Sequence, residues 1–196
     1  MGWWVLIERS GWEIIAIELI LTLLTYIFFP KLTVPLVMIL TFTLFFFRDP
    51  PRRVGEGIVS PADGKVDFVS GRRIEIFMGP FDCHVNRSPV EGTVTRVVYH
   101  SGAKSPAYKR RENPERNEIY ISNRDGEFKV VQIAGFFARR IVCYVREGEK
   151  VRKGQKIGII KFGSRTVLEV PPGFKFTKKV GDRVKAGETI AVKSNV

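Results

Sequence analysis

Ser60-Pro61-Ala62-Asp63-Gly64-Lys65-Val66 and Ser88-Pro89-Val90-Glu91-Gly92-Thr93-Val94 agree at Ser, Pro, Gly and Val. A second pair lies further on, Val145-Arg146-Glu147-Gly148-Glu149-Lys150-Val151-Arg152-Lys153-Gly154-Gln155-Lys156-Ile157 against Lys178-Lys179-Val180-Gly181-Asp182-Arg183-Val184-Lys185-Ala186-Gly187-Glu188-Thr189-Ile190. Internal self-similarity of this kind means that one structural unit is built twice. The shared Gly-acidic-x-Val-x-x-Gly spacing puts a turn glycine on either side of a short strand. Around these repeats, from Arg48-Asp49-Pro50-Pro51 onward, short Val/Ile-rich runs alternate with Gly and Pro. That rhythm predicts an all-β domain.

An SPxxG turn combined with GDxVxxG hairpins resembles the hammerhead halves of biotinyl and lipoyl carrier domains, here duplicated. No lysine flanked by methionine stands at a hairpin tip, so a lipoyl or biotin carrier is disfavoured. The expected fold class is mainly β: a duplicated hammerhead, barrel-sandwich hybrid-like β domain over residues 48–196, preceded by an N-terminal α-helical membrane hairpin over residues 1–47. Function must come from a site, because fold alone does not fix it.

The hairpin is read from two apolar runs, Trp12 to Phe29 and Leu32 to Phe47, interrupted at Pro30-Lys31. Each is slightly short of the ~20 residues that a spanning helix usually needs, so spanning and monotopic insertion both stay open. The start has no basic stretch and no small-residue cleavage site follows, which argues against a signal peptide. Trp3, Trp4 and Trp12 suit an interfacial belt, and Arg48, Arg52 and Arg53 follow the second run. The positive-inside rule then places the β domain at the cytoplasmic face of the cell membrane. Residues 1–47 hold only Arg9 and Lys31 against Glu8, Glu13 and Glu18, so the net charge of +12 resides entirely in the remainder. A basic domain behind an apolar hairpin suits an anionic membrane surface. Nucleic acid is not expected, since no basic strand is interleaved with aromatic residues. Cys83 and Cys143 form no CxxC or metal-ligand pattern, so reduced thiols and no metal are expected.

Three stretches carry candidate chemistry. Lys161-Phe162-Gly163-Ser164-Arg165-Thr166-Val167-Leu168-Glu169-Val170 joins an apolar run, Ile157 to Ile160, to an alternating one through a Gly-Ser turn. A serine hydroxyl there becomes a nucleophile only with a base beside it; with one, Ser164 attacks the Gly163 carbonyl. The bland alternative is a strand–turn–strand. Phe77-Met78-Gly79-Pro80-Phe81-Asp82-Cys83-His84-Val85-Asn86-Arg87-Ser88-Pro89 holds His84, one of two histidines with His100, and imidazole takes and returns protons near neutrality. Residues 101–117 form a long polar insertion in which Lys104, Lys109, Arg110, Arg111 and Arg116 suit phosphate head groups or, equally, a solvated basic loop.

FDCHVNRSPVEG, SPADGKV, an RNE-containing polar loop, a late FGSR and the RDPPR junction together resemble the short, membrane-associated class of phosphatidylserine decarboxylases and their archaetidylserine counterparts. The likeness covers nearly the whole chain in the family's order. It implies a proenzyme that cuts itself between Gly163 and Ser164 into a large chain, 1–163, and a small chain, 164–196, which stay together. Ser164 then becomes a pyruvoyl group, a covalent cofactor that forms a Schiff base with the amine of a serine head group and draws electrons as CO₂ leaves. Asp63 matches the Asp of the family's Asp-His-Ser processing triad, and His84 its central histidine. Asn86, Arg87, Lys104 and Asn117 are the substrate-binding candidates, and the partners implied are a membrane phospholipid and, by analogy alone, a second copy in a homodimer.

One departure stands out. Longer members carry HxxH where this chain has His84-Val85-Asn86-Arg87, so either His84 serves both processing and decarboxylation or His100 supplies the second function. Their LGST is FGSR here, with the Gly-Ser bond kept. The competing reading is a non-enzymatic, membrane-anchored adaptor module of barrel-sandwich type, but the long helical hairpin usual in those is absent from this sequence.

Overall fold

The computed structural model describes residues 7–102, 114–135, 141–161 and 164–194. The chain divides into two compact units, Met1–Pro51 and Arg52–Val196, with the division four residues beyond the expected 47/48 boundary.

In the first unit, helices α1 (Trp12–Phe28) and α2 (Pro30–Phe46) turn about Phe29. Pro30 occupies the first turn of α2, where its missing N–H is no loss. Ile17, Ile20, Leu23, Leu24, Val34 and Met38 are all exposed, so apolar side chains face outward around both helices. That pattern suits hydrocarbon better than water. The helical segment Arg9–Phe28 is long and apolar enough to cross a bilayer, while α2 is shorter. Inside the pair, Thr43 Oγ1 donates to Glu18 Oε1 at 3.0 Å.

The second unit is mainly antiparallel β. Its strands, in chain order, are β1 (Ile58–Val59), β2 (Gly64–Ser70), β3 (Arg73–Met78), β4 (Val85–Arg87), β5 (Gly92–His100), β6 (Arg116–Asn123), β7 (Gly126–Ala134), β8 (Ile141–Cys143), β9 (Lys150–Val151), β10 (Lys156–Ile160), β11 (Ser164–Glu169), β12 (Phe174–Phe176), β13 (Arg183–Val184) and β14 (Thr189–Lys193). Eight of them form one sheet in the order β13-β2-β3-β11-β7-β6-β5-β9; β1-β14-β12 and β4-β10-β8 are separate three-stranded sheets.

The sequence repeats map onto one another strand by strand. Gly64 pairs with Val184 on β13, and Gly92 pairs with Val151 on β9. Gly187 N–H bonds to Ser60 C=O as Gly154 N–H bonds to Ser88 C=O, and the return bonds run from Ser60 N–H to Glu188 C=O and from Ser88 N–H to Gln155 C=O. Ser60 and Ser88 each turn their hydroxyl onto a carbonyl two residues ahead. Gly187 and Gly154 sit at φ 91° and 79°, a region that glycine enters without strain. One half is therefore β1–β3 with β11–β14, and the other is β4–β10.

Because the second half is inserted within the first, only two segments cross between halves: residues 79–84 from β3 to β4, and residues 161–163 from β10 to β11. The Gly-Ser turn read from the sequence includes Gly163, which lies outside the described residues. β10 and β11 belong to different sheets, β10 pairing with β4 and β8 and β11 with β3 and β7, and Ser164 is the first residue of β11. The expected alternation along β11 is also absent, since Ser164 to Leu168 are all buried. A strand flanked on both sides in the middle of a sheet has no open edge. Its outward Arg165 lies between Glu75 (2.5 Å) and Asp67 (2.6 Å), so even that face is covered. Ile74, Ile76, Ile119, Ile121, Phe128, Val130 and Leu168 fill the core beneath, each aliphatic contributing on the order of 1.5–3 kcal/mol by leaving water.

Candidate active site

The described residues that flank the two crossovers lie side by side at one end of the central strands. On one side Ile160 N–H donates to the His84 carbonyl at 3.3 Å, and on the other Ser164 pairs with Met78. Ser164 also pairs with Ala134 of β7, so its backbone is fixed from both flanks. Its side chain is fully buried, and Oγ has no hydrogen-bond partner among the described residues. A buried hydroxyl without a partner costs free energy of order 1–3 kcal/mol. Gly163 and Lys104 lie outside the described residues.

His84 is fully buried at the head of β4. Its Nδ1 is 2.9 Å from the Asp82 carbonyl. A carbonyl only accepts, so Nδ1 carries the proton and Nε2 is the basic nitrogen of the neutral ring. The ring is thus oriented by the backbone of its own crossover. Asp82 is held in turn: its Oδ2 accepts from Gly79 N–H at 2.9 Å and its Oδ1 from Arg183 at 2.5 Å.

Asp63 lies beside this crossover. Its SPADG turn docks on β4 through Arg87 N–H to Pro61 C=O at 2.9 Å. The carboxylate takes one bond from Arg52 Nη2 at 2.6 Å and one from Ala186 N–H at 2.8 Å. The Cys83 thiol, immediately before His84, is pushed above its usual pKa, first by burial and further by the charge of Asp63, against hydrogen bonds to Val85 and Arg52 that pull it down. Arg52, Asp63 and Cys83 therefore form one cluster. Cys83 and Cys143 are both thiols.

The remaining sequence candidates occupy different environments. Asn86 and Asn117 belong to a buried amide chain: Asn86 Nδ2 donates to Thr166 Oγ1 at 3.0 Å, Gln132 Nε2 to Asn86 Oδ1 at 2.8 Å, and Asn117 Nδ2 to Gln132 Oε1 at 3.0 Å. This chain runs through β11, β4, β7 and β6 and puts Thr166 two residues from Ser164, on the same face. Arg87 turns its guanidinium to the Gly154 carbonyl at 3.0 Å. Arg116 and Asn117, assigned to the polar insertion from sequence, are strand residues of β6. His100 sits on the outer sheet face, 38% exposed, with Nε2 3.6 Å from Glu118. It shares nothing with the crossovers.

Sequence reasoning missed Arg52 as the partner of Asp63, and missed Gln132, Thr166 and the Arg165–Glu75–Asp67 group. Glu75 in the apolar run Ile74–Phe77 was the available signal for the last, since a carboxylate enters a strand interior only when a cation meets it. Burial raises the Glu75 pKa, but Arg165 and then Arg73 outweigh it and hold the carboxyl below its usual range. Among the described residues no cluster of His, Cys, Asp and Glu suits a metal ion.

The twofold-repeated β domain thus brings a buried serine hydroxyl and a buried imidazole to the ends of its two crossovers. The phosphatidylserine decarboxylase family model matches residues 66–192, and the chain belongs to that family. It is 54% identical over 188 residues to a putative archaetidylserine decarboxylase proenzyme of Archaeoglobus fulgidus, covering 96% of each chain. It is 42% identical to the phosphatidylserine decarboxylase proenzyme of Chlorobium limicola, over 82% of this chain and 83% of the relative. With that of Streptomyces coelicolor it shares 46% identity, over 74% and 70%.

Proposed function

We propose that this chain is the proenzyme of a lyase that decarboxylates the serine head group of a membrane phospholipid to the ethanolamine lipid. The observation that carries this reading is Ser164: a fully buried hydroxyl without a hydrogen-bond partner among the described residues, at the residue where the family's proenzymes are cut.

In maturation, His84 Nε2 takes the Ser164 proton and Oγ attacks the Gly163 carbonyl. The peptide bond becomes an ester between Gly163 and the serine oxygen. Loss of the Cα proton expels the Gly163 carboxylate, leaving dehydroalanine at residue 164, and water replaces its nitrogen, which departs as ammonia. The site fits the resulting pyruvoyl group, because Ser164 Oγ makes no hydrogen bond there that conversion would break. Once formed, that ketone supplies the electrophile and electron sink that no standard side chain offers.

The residues around it do the rest. β11 is paired on both sides by strands of the 1–163 segment, β3 and β7, so the 164–196 segment stays bound after the cut. The Thr166–Asn86–Gln132–Asn117 chain holds the floor of the site rigid. His84 returns a proton to the substrate carbon after CO₂ departs, serving both steps. Asp63 acts on this imidazole by charge, from beside Cys83. The apolar hairpin holds the domain at the bilayer, and the arginines that follow α2 favour the cytoplasmic side.

The test is CO₂ release from phosphatidylserine vesicles by the purified wild-type protein and by Ser164→Ala. Wild type is expected to cleave and to release CO₂, and Ser164→Ala to remain one chain of 22.3 kDa without activity. Full processing of Ser164→Ala would refute the mechanism.

A further inference from the structure

Arg52 opens the β unit, directly after Pro50-Pro51, in a segment without regular secondary structure. Its ion pair with Asp63 is largely dry, each side chain being only 11% exposed. The acidic turn at 60–64 docks on β4 through Arg87 N–H to Pro61 C=O at 2.9 Å, directly after the crossover 79–84 that carries His84. Arg183 reaches Asp82 of that crossover at 2.5 Å. The other Asp63 oxygen accepts from Ala186 N–H, which lies in the segment that follows the Gly163–Ser164 bond.

We propose that Arg52 is a positioning residue for self-cleavage, acting through Asp63 to hold the His84 crossover in register with the Ser164 strand. This rests on the reading of the chain as a self-cleaving proenzyme. The physical reason lies in how Asp63 is held. Neither oxygen is hydrogen-bonded to His84, so the carboxylate influences the imidazole by where its charge is fixed. A guanidinium is suited to that task because it stays charged and its donors form a planar fork that can engage two neighbouring acceptors. With Arg52 removed, Asp63 keeps a single backbone donor. A buried carboxylate with its cation gone must hydrate, protonate or turn, and each response shifts the charge that faces the histidine segment.

The experiment follows the appearance of cut chain from freshly expressed full-length protein for wild type, Arg52→Gln, Arg52→Lys, Asp63→Asn and the Arg52→Gln/Asp63→Asn double variant. Arg52→Gln is expected to slow cleavage about 10-fold or more, approaching at most the ~10²–10⁴-fold typical of a lost acid–base group, and Arg52→Lys to recover much of the rate. The double variant is expected to be no slower than the slower single one, since residues that act through one contact are not additive. Melting of the same substitutions in an uncut Ser164→Ala background separates positioning from folding. The proposal is overturned if Arg52→Gln cleaves at the wild-type rate, or if the two single effects multiply in the double variant. It is equally overturned if Arg52→Lys fails to recover cleavage while matching wild type in melting temperature. An uncut wild-type chain would instead refute the proenzyme reading, before any variant is compared.

Discussion

Arg165→Met removes the guanidinium held between Glu75 and Asp67 and leaves Glu75, 5% exposed, with Arg73 beside it. Breaking a buried pair by removing one partner typically costs ~3–5 kcal/mol. Arg73 still reaches Glu75 at 2.9 Å, and Asp67, 30% exposed, can be hydrated, so the lower end applies. A loss of about 3 kcal/mol corresponds to a fall in melting temperature of about 6–12 °C for a chain of this size. The assay is thermal unfolding in the uncut Ser164→Ala background, where a single chain unfolds. Acid provides an internal control. Glu75 has a folded pKa below its ordinary 4.5, so its contribution is fully present above the unfolded pKa and is lost as pH falls through the folded one. The difference between Arg165→Met and its parent should therefore narrow below about pH 4. A variant within about 0.5 kcal/mol of its parent at neutral pH, the usual range for surface substitutions, would show that the covered outer face of β11 is not held by this group.

Two further outcomes follow from the site. His84→Ala should block or greatly slow maturation, by about 10²–10⁴-fold, whereas His100→Ala, which loses only a half-exposed contact to Glu118, should mature and retain most activity; SDS gels of both variants decide, and the reverse pattern would exchange the roles. Gln132→Leu should destabilise the uncut protein by about 1–3 kcal/mol for each buried amide left unpaired, at Asn86 and at Asn117, and unchanged urea unfolding would show that the amide chain is not structural.

The duplicated fold was legible because its signals are local. A turn needs a serine, a proline or a glycine at fixed offsets, and the same offsets occur twice, so Gly64 with Val184 and Gly92 with Val151 were implied once the repeats were aligned. The two apolar helices were legible for the same reason, since uninterrupted apolar runs need no partner to be read. What stayed hidden was pairing at long range. That β10 and β11 belong to different sheets, and do not form a hairpin, depends on β11 choosing β3 and β7 as neighbours, which no local pattern encodes. Ser164 and His84 could be picked from motifs, but the tautomer set by the Asp82 carbonyl could not. Asp63 illustrates the limit well: its motif was plain, yet its partner Arg52 came from the junction, where arginines had been read only as a charge at the membrane face.

The most direct test of the account is the intact mass of the purified wild-type protein, taken under denaturing conditions with and without a carbonyl-reactive hydrazine. Two chains are expected, breaking between Gly163 and Ser164, with masses that together differ from the uncut chain by the exchange of ammonia for water. Only the smaller should resist Edman sequencing and gain the hydrazine label. A single unlabelled chain of 22.3 kDa in a preparation that releases CO₂ from phosphatidylserine vesicles would contradict it.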